Sequence, residues 1–153
     1  GYYQPVHWVH PGNGVHMHMI INTNPLATAV FPDGDYAVQL YELGGAGGGV
    51  VKQKHIYLTA GQEYKFSLDA WSQDTGDAFI TVDLVGSGTT KVMDNLTVTD
   101  NGAYETMSAS FTVPTTEEYT LWIYSEFATT PQPDLFFDNV QISLPKGTVI
   151  AIR

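Results

Sequence analysis

The sequence predicts an all-β protein, built as an antiparallel sandwich or barrel. Apolar residues recur at every second position in one segment after another, as expected of strands with one buried face. Gly, Pro, Asn and Asp punctuate these segments, and helical spacing is nearly absent. The pattern therefore indicates antiparallel strands joined by turns.

Length and charge narrow the class of protein further. The chain has 153 residues, which predicts one domain spanning residues 1–153. Six basic residues stand against sixteen acidic ones, for a formal net charge of -10. Such a surface repels phosphate backbones and anionic lipid, so we expect no nucleic acid and no membrane as partner. The absence of cysteine excludes disulfides and thiolate zinc sites.

The first half of the chain contains three predicted strands. One apolar face is formed by Val15, Met17, Met19 and Ile21, and a second, after the turn Pro32-Asp33-Gly34, by Tyr36, Val38 and Leu40. The glycine-rich run at 44–49 cannot pack and is expected to be a loop. A strand is predicted at 50–58, followed by a turn at 59–62.

Each later strand divides into an inward and an outward face. The predicted inward residues are Tyr64, Phe66, Leu68 and Ala70; then Ala78, Ile80, Val82 and Leu84; then Ala103, Met107, Ala109, Phe111 and Val113; then Tyr119, Leu121 and Ile123. The outward residues between them include Asp69 and Trp71, and later Trp122, Tyr124 and Glu126.

The last alternating segment contains an acid in phase with apolar residues. It reads Phe136-x-Asp138-x-Val140-x-Ile142-x-Leu144, which predicts that Asp138 faces the core. A carboxylate in that position needs a cation or several hydrogen-bond donors. Either a bound calcium ion, with a second carboxylate from Asp33, or loop backbone amides could supply this.

The outward aromatic residues predict a contact surface. Trp71, Trp122 and Tyr124 gain no burial unless something covers them, and sugars stack on such rings while a carboxylate such as Glu126 binds hydroxyls. A covering loop or another subunit is the alternative.

The sequence contains no pattern typical of an enzyme. The pair His16-x-His18 shows no third metal ligand at a diagnostic spacing, and no motif of a hydrolase, metalloprotease or phosphate-binding loop occurs. We therefore expect no enzymatic activity.

From residue 50 onward the order of residues resembles carbohydrate-binding modules of the family 4, 9, 16 and 22 type, which are galactose-binding-like jelly rolls. The segments that carry the resemblance are Val51-Lys52-Gln53, Leu58-Thr59-Ala60-Gly61-Gln62-Glu63-Tyr64-Lys65-Phe66-Ser67, Phe111-Thr112-Val113-Pro114 and Phe136-Phe137-Asp138-Asn139-Val140-Gln141-Ile142. The resemblance implies an all-β, antiparallel jelly-roll β-sandwich.

The resemblance also implies site residues. Tyr124-Ser125-Glu126 is similar to the Tyr-x-Glu on a binding-face strand of family 22 modules, and Asp69 or Trp71 lies where that family places a ligand-facing aromatic residue; Gln53 could join this face. In the family, the aspartate equivalent to Asp138 helps to hold a structural calcium ion together with an N-terminal segment. Most of that segment is missing before Gly1, so the first strand is predicted to be truncated or donated by a neighbouring chain.

The sequence therefore predicts a non-catalytic module that recognises a polysaccharide or surface glycan by stacking and hydrogen bonding. The alternative is a structural or assembly subunit of an extracellular fibre, sheath or virion surface, which uses the same fold for contacts with copies of itself or with a parent enzyme or fibre. Few charges and abundant Thr, Ser, Gly and Tyr favour an extracellular, cell-surface or virion location in both cases.

Overall fold

The computed structural model describes residues 8–9, 15–21, 36–42, 50–73, 78–99, 103–125, 134–145 and 149–151. The regular elements in this part of the chain are β-strands: β1 Trp8–Val9, β2 Val15–Ile21, β3 Tyr36–Glu42, β4 Val50–Leu58, β5 Glu63–Gln73, β6 Ala78–Val85, β7 Thr89–Val98, β8 Glu105–Thr112, β9 Glu117–Tyr124, β10 Asp134–Ser143 and β11 Val149–Ala151. Over the described ranges, no helix is long and apolar enough to cross a membrane.

The strands form two antiparallel sheets that pack as a sandwich. The five-stranded sheet has the order β1-β4-β9-β6-β7. The six-stranded sheet has the order β2-β3-β10-β5-β8, with β11 paired to β10. Neighbours in space are often distant in the chain, as in β4-β9 and β5-β10, so the connections cross from one sheet to the other. The predicted all-β sandwich is confirmed.

The core lies between the sheets and is built from the predicted inward faces, except that Ala103 is exposed and not part of it. Strands β5, β6 and β9 bury the alternating apolar residues named above, and Leu135, Phe137, Val140 and Ile142 of β10 join them. Phe66, Phe137, Leu121 and Tyr119 are fully or almost fully enclosed. Because successive residues point to opposite sides of a strand, this core places the intervening residues on the two outer faces of the sandwich.

The predicted turn at 59–62 is confirmed. Gln62 N donates to Thr59 O at 3.2 Å, and Gly61 N donates to Val113 O at 3.0 Å. Gly61 adopts a φ of 70°, in the left-handed region that glycine enters without a steric penalty. The turn thus ties the start of β5 to the end of β8.

The prediction that Asp138 faces the core is wrong, because β10 contains a β-bulge. The pairing of β10 with β5 shifts register between Asp138 and Gln141, and Asn139 adopts a φ of 52°. An extra residue in a strand reverses the phase of every side chain beyond it. Phe137 and Val140 therefore both face the core, whereas Asp138 pairs with Asp69 on the outer face of the six-stranded sheet.

Some predicted features lie outside the described residues. These are the turn with Asp33, the glycine-rich run at 44–49 and Glu126.

The last strand, β11, pairs with residues Gln141, Ile142 and Ser143 of β10, so it is the sixth strand of this sheet.

Candidate functional site

Trp122 and Tyr124 lie on the outer face of the five-stranded sheet. Their strand, β9, runs between β4 and β6, and its residues Tyr119, Leu121 and Ile123 face the core. The alternation therefore turns both rings outward, where each is half-buried. The prediction that these two rings project from the outside of the sandwich is confirmed.

A row of polar and aromatic side chains crosses this face at Trp122. Trp122 pairs with Lys52 of β4 on one side and with Asp83 of β6 on the other, and Asp83 pairs in turn with Lys91 of β7. We call Lys52, Trp122, Tyr124 and Asp83 the aromatic row. Directly paired residues on one face of a sheet have Cβ atoms about 5 Å apart, so these side chains are in mutual reach.

Asp83 is an acidic residue of this site that the sequence analysis did not single out. It is only 7% exposed, and its Oδ2 accepts a hydrogen bond of 2.8 Å from the Tyr124 hydroxyl. Its Oδ1 is buried and has no hydrogen-bond partner among the described residues. The signal was present in the sequence, because Asp83 stands between the inward residues Val82 and Leu84 and must therefore face outward.

Lys52 covers the ring of Trp122. Its Nζ lies 3.8 Å from the ring centroid, which is a cation–π contact. On the far side of the row, Lys91 Nζ donates to Asp94 Oδ1 at 2.9 Å. This hydrogen bond is the main cause that raises the pKa of Lys91, and the charge of Asp83 adds to it. The row thus combines one stacking surface with charges of both signs.

Ser125, which directly follows Tyr124 at the end of β9, holds this end of the strand in place. Ser125 is fully buried and donates from Oγ to the Phe79 carbonyl at 2.6 Å. The Tyr-x-Glu pattern thus begins at a fixed point of the sheet, although Glu126 itself lies outside the described residues. At the other end of β9, His55 Nδ1 and Glu118 Oε1 are 3.0 Å apart, beside the 66% exposed ring of Tyr57.

Trp71 does not belong to this face, which corrects the prediction of one surface for all the aromatic residues. Its strand, β5, is in the six-stranded sheet, so its outward side points away from Trp122. Trp71 is also only 6% exposed, because its ring stacks on Phe136 with centroids 5.2 Å apart and contacts Tyr104 at 5.8 Å. Alternation correctly predicted that Trp71 leaves the core but could not predict this cover.

Asp69 lies on the same outer face as Trp71, again apart from the aromatic row. Its Oδ2 accepts from Asn139 Nδ2 at 2.8 Å, and its Oδ1 accepts from the Thr106 hydroxyl. The carboxylate is therefore used to hold β5 to its two neighbours, β10 and β8.

Gln53 faces the interior, so the prediction that it joins the binding face is also wrong. It pairs with the core residue Leu121 and is 8% exposed. Its Nε2 donates to the Lys54 carbonyl at 3.0 Å, next to the bulge at which His55 adopts a φ of 66°. The resemblance identified the correct strand, but the phase of the strand turns Gln53 inward.

Asp138 and Asp69 form a directly opposed pair of carboxylates. Asp138 Oδ1 accepts from Asn139 N at 2.8 Å. Burial raises the pKa of the nearby Tyr104 hydroxyl well above its usual value, and the charges of Asp138 and Asp69 add to this. Within the described ranges, no group of three His, Cys, Asp or Glu residues converges as a metal site.

The described residues thus form a two-layer antiparallel sandwich with an aromatic ring and a buried acid on one outer face. The chain belongs to the carbohydrate binding domain family of the CBM 4/9 type, whose profile matches residues 7–133. The resemblance noted from the sequence is confirmed. Among curated proteins, no sequence matches this chain.

Solved structures share the fold at low sequence identity. The CBM22-1 and GH10 modules of Clostridium thermocellum xylanase 10B, complexed with xylohexaose, match with a TM-score of 0.65 and 20% identity, over 96% of this chain and 28% of that chain. The CBM22-1 xylan-binding domain of Paenibacillus barcinonensis Xyn10C matches with a TM-score of 0.63 and 17% identity, over 92% of this chain and 86% of that one.

The same fold also occurs in an enzyme. A cyclase from Fischerella sp. TAU matches with a TM-score of 0.63 and 14% identity, over 94% of this chain and 86% of that chain. The neighbours together confirm the jelly-roll sandwich class. Because one fold supports many functions, the chemistry of this chain depends on its own surface residues.

Proposed function

We propose that this domain binds a polysaccharide or surface glycan at the aromatic row, without making or breaking bonds. The observation that carries the proposal is the half-buried Trp122 ring, flanked by a cation and by a buried carboxylate on a rigid central strand. The apolar face of a sugar stacks on an indole, while charged and polar neighbours bind its hydroxyls.

The rigidity of the site supports this proposal. Trp122 and Tyr124 are held from both sides by β4 and β6, and the Tyr124 hydroxyl is fixed by Asp83. A side chain that is already ordered loses little conformational entropy when a ligand binds. Family membership and the xylan-binding domain among the structural neighbours make xylo-oligosaccharides the first ligands to test.

We further propose a structural calcium ion at Asp138. The donor chemistry fits, because Asp138 and Asp69 are opposed in the pairing of β10 with β5 and calcium prefers carboxylate oxygens. Asp69 already accepts one hydrogen bond at each oxygen, from Asn139 and from Thr106, so it would bind the ion through its remaining lone pairs. A cation there would relieve the repulsion between two directly opposed acids. Asp33, the other predicted ligand, lies outside the described residues. We also propose an extracellular, cell-surface or virion location, as the composition favours.

A glycan screen with two variants tests the proposal. Wild type, Trp122→Ala and Tyr57→Ala are compared, because Tyr57 is a more exposed aromatic residue on the same sheet. Glu118, the partner of Tyr57, lies four positions from Trp122, about 13 Å along β9. Loss of binding in Trp122→Ala alone, with unchanged molecular size, supports the site. Loss of an oligomer in Trp122→Ala would favour the assembly alternative.

A further inference from the structure

The stacking face of Trp122 is already in contact with a residue of the same chain. Lys52 Nζ lies 3.8 Å from the ring centroid, where the apolar face of a sugar would lie. A cation–π contact at an exposed site contributes roughly a two- to fivefold preference for the closed arrangement. A sugar that stacks on the face of Trp122 that Lys52 covers must displace this ammonium group or use it.

Lys52 is one of the few basic residues of an acidic protein. The chain has sixteen acidic and only six basic residues. The ion pairs found over the described ranges join His55 to Glu118 and Lys91 to Asp94, and none of them includes Lys52. Lys52 Nζ contacts an aromatic ring and forms no ion pair with a carboxylate over these ranges, so its charge is available to pair with an anionic group of a ligand.

The two sides of Trp122 carry opposite charges. Lys52 of β4 lies on one side, and the buried carboxylate of Asp83 of β6 lies on the other. Neighbouring strands are about 4.8 Å apart, so the backbones of these two residues are separated by about 10 Å, which leaves room for one pyranose ring over the indole. The Asp83 side also carries Lys91, but Lys91 is paired with Asp94, so the two carboxylates and one cation leave a net negative charge there. An anionic substituent is therefore repelled on the Asp83 side and attracted on the Lys52 side.

We propose that Lys52 makes this site select glycans that carry a carboxylate, such as a uronic acid, over neutral glycans. The inference rests on the proposed function. On binding, Lys52 leaves the Trp122 ring and pairs with the carboxylate, so the cation–π contact is replaced by an ion pair while the ring becomes available for stacking. A neutral sugar displaces Lys52 without this replacement. The net negative charge of the protein opposes an acidic ligand only weakly at physiological salt, since it is screened beyond about 8 Å.

Two ligands and four proteins test the proposal. The probes are xylohexaose and the same backbone with one glucuronic acid branch, each titrated calorimetrically. The proteins are wild type, Lys52→Met, Trp122→Ala and Lys65→Met; Lys65 is an exposed lysine of the six-stranded sheet and serves as the matched control. Wild type and Lys65→Met are expected to prefer the acidic probe, and raising the salt concentration should reduce that preference.

Lys52→Met is expected to abolish the preference for the acidic probe. Binding of neutral xylohexaose should tighten about two- to fivefold, because no ammonium group has to be displaced. Binding of the acidic probe should change less, because the loss of the ion pair and the absence of this displacement offset each other. Equal weakening for both probes, or no change, would overturn the role of Lys52. If Trp122→Ala binds both probes like wild type, or wild type binds neither, the proposed site itself fails.

Discussion

The Tyr124 hydroxyl donates a hydrogen bond of 2.8 Å to Oδ2 of Asp83, across the boundary between β9 and β6. This contact joins an aromatic residue of the outer face to a carboxylate that is 7% exposed. It makes the aromatic row a structural unit as well as a candidate binding surface.

Removing the hydroxyl should therefore destabilise the domain. Tyr124→Phe deprives a buried carboxylate of its donor, so we expect the free energy of unfolding to fall by about 1–3 kcal/mol. Chemical denaturation measures this, with Tyr57→Phe as the control, since Tyr57 is 66% exposed. A double-mutant cycle with Asp83→Ala, which removes the acceptor, should give a coupling energy above about 0.5 kcal/mol. Strictly additive effects would contradict the assigned contact.

Trp71 should behave as a packed residue although it lies outside the core. Its ring is enclosed by Phe136 and Tyr104, so Trp71→Ala should lower the free energy of unfolding by about 3–5 kcal/mol. Under conditions in which this variant is still folded, its affinity for glycan should equal that of wild type. A stable Trp71→Ala protein with lost binding would instead make Trp71 a ligand-contacting residue.

At the β-bulge, replacing Asn139 by glycine should destabilise the domain less than replacing it by alanine. Asn139 has a φ of 52°, and its side chain donates to Asp69 Oδ2. Both Asn139→Gly and Asn139→Ala remove the hydrogen bond, but alanine also has to adopt the left-handed conformation. We expect alanine to be less stable by about 1 kcal/mol in thermal or chemical unfolding. The reverse order would show that the strand pairs without this bulge.

Calcium should raise the melting temperature if Asp138 and Asp69 hold it. A ligand that binds only the folded state stabilises it by about 2.7 kcal/mol at a hundredfold excess over its dissociation constant. Addition of a chelator should lower the melting temperature of wild type and leave Asp138→Asn unchanged. An identical melt with and without chelator would remove the proposed ion.

Acid should weaken the turn between β6 and β7 through Glu117. Oε1 of this residue accepts hydrogen bonds from Ser87 Oγ at 2.7 Å and from Ser87 N at 3.0 Å, which lower the pKa of Glu117. A lowered pKa in the folded state gives stability above the ordinary Glu value of about 4.3, and this is lost as the pH falls through the folded value. Ser87→Ala should therefore be more destabilising at pH 7 than at pH 3. Equal losses at both pH values would contradict this.

Much of the fold could be predicted, because the apolar alternation of β5, β6 and β9 holds without interruption. That alternation also placed Trp122 and Tyr124 correctly on an outer face. It failed at Asp138 because a bulge depends on local backbone geometry that a two-residue period does not contain. The pattern also could not assign strands to sheets, so Trp71 and Trp122 were predicted on one surface when they lie on opposite ones.

The central claim is tested most directly by NMR. The indole N–H signals of the tryptophans are recorded while the protein is titrated with the oligosaccharide that it binds. Trp122→Phe and Trp71→Phe assign the two signals that matter. The signal of Trp122 should shift with saturable dependence on ligand, while that of Trp71 should not move. A saturable shift of Trp71 with an unchanged Trp122 would place the ligand on the six-stranded sheet and contradict the account.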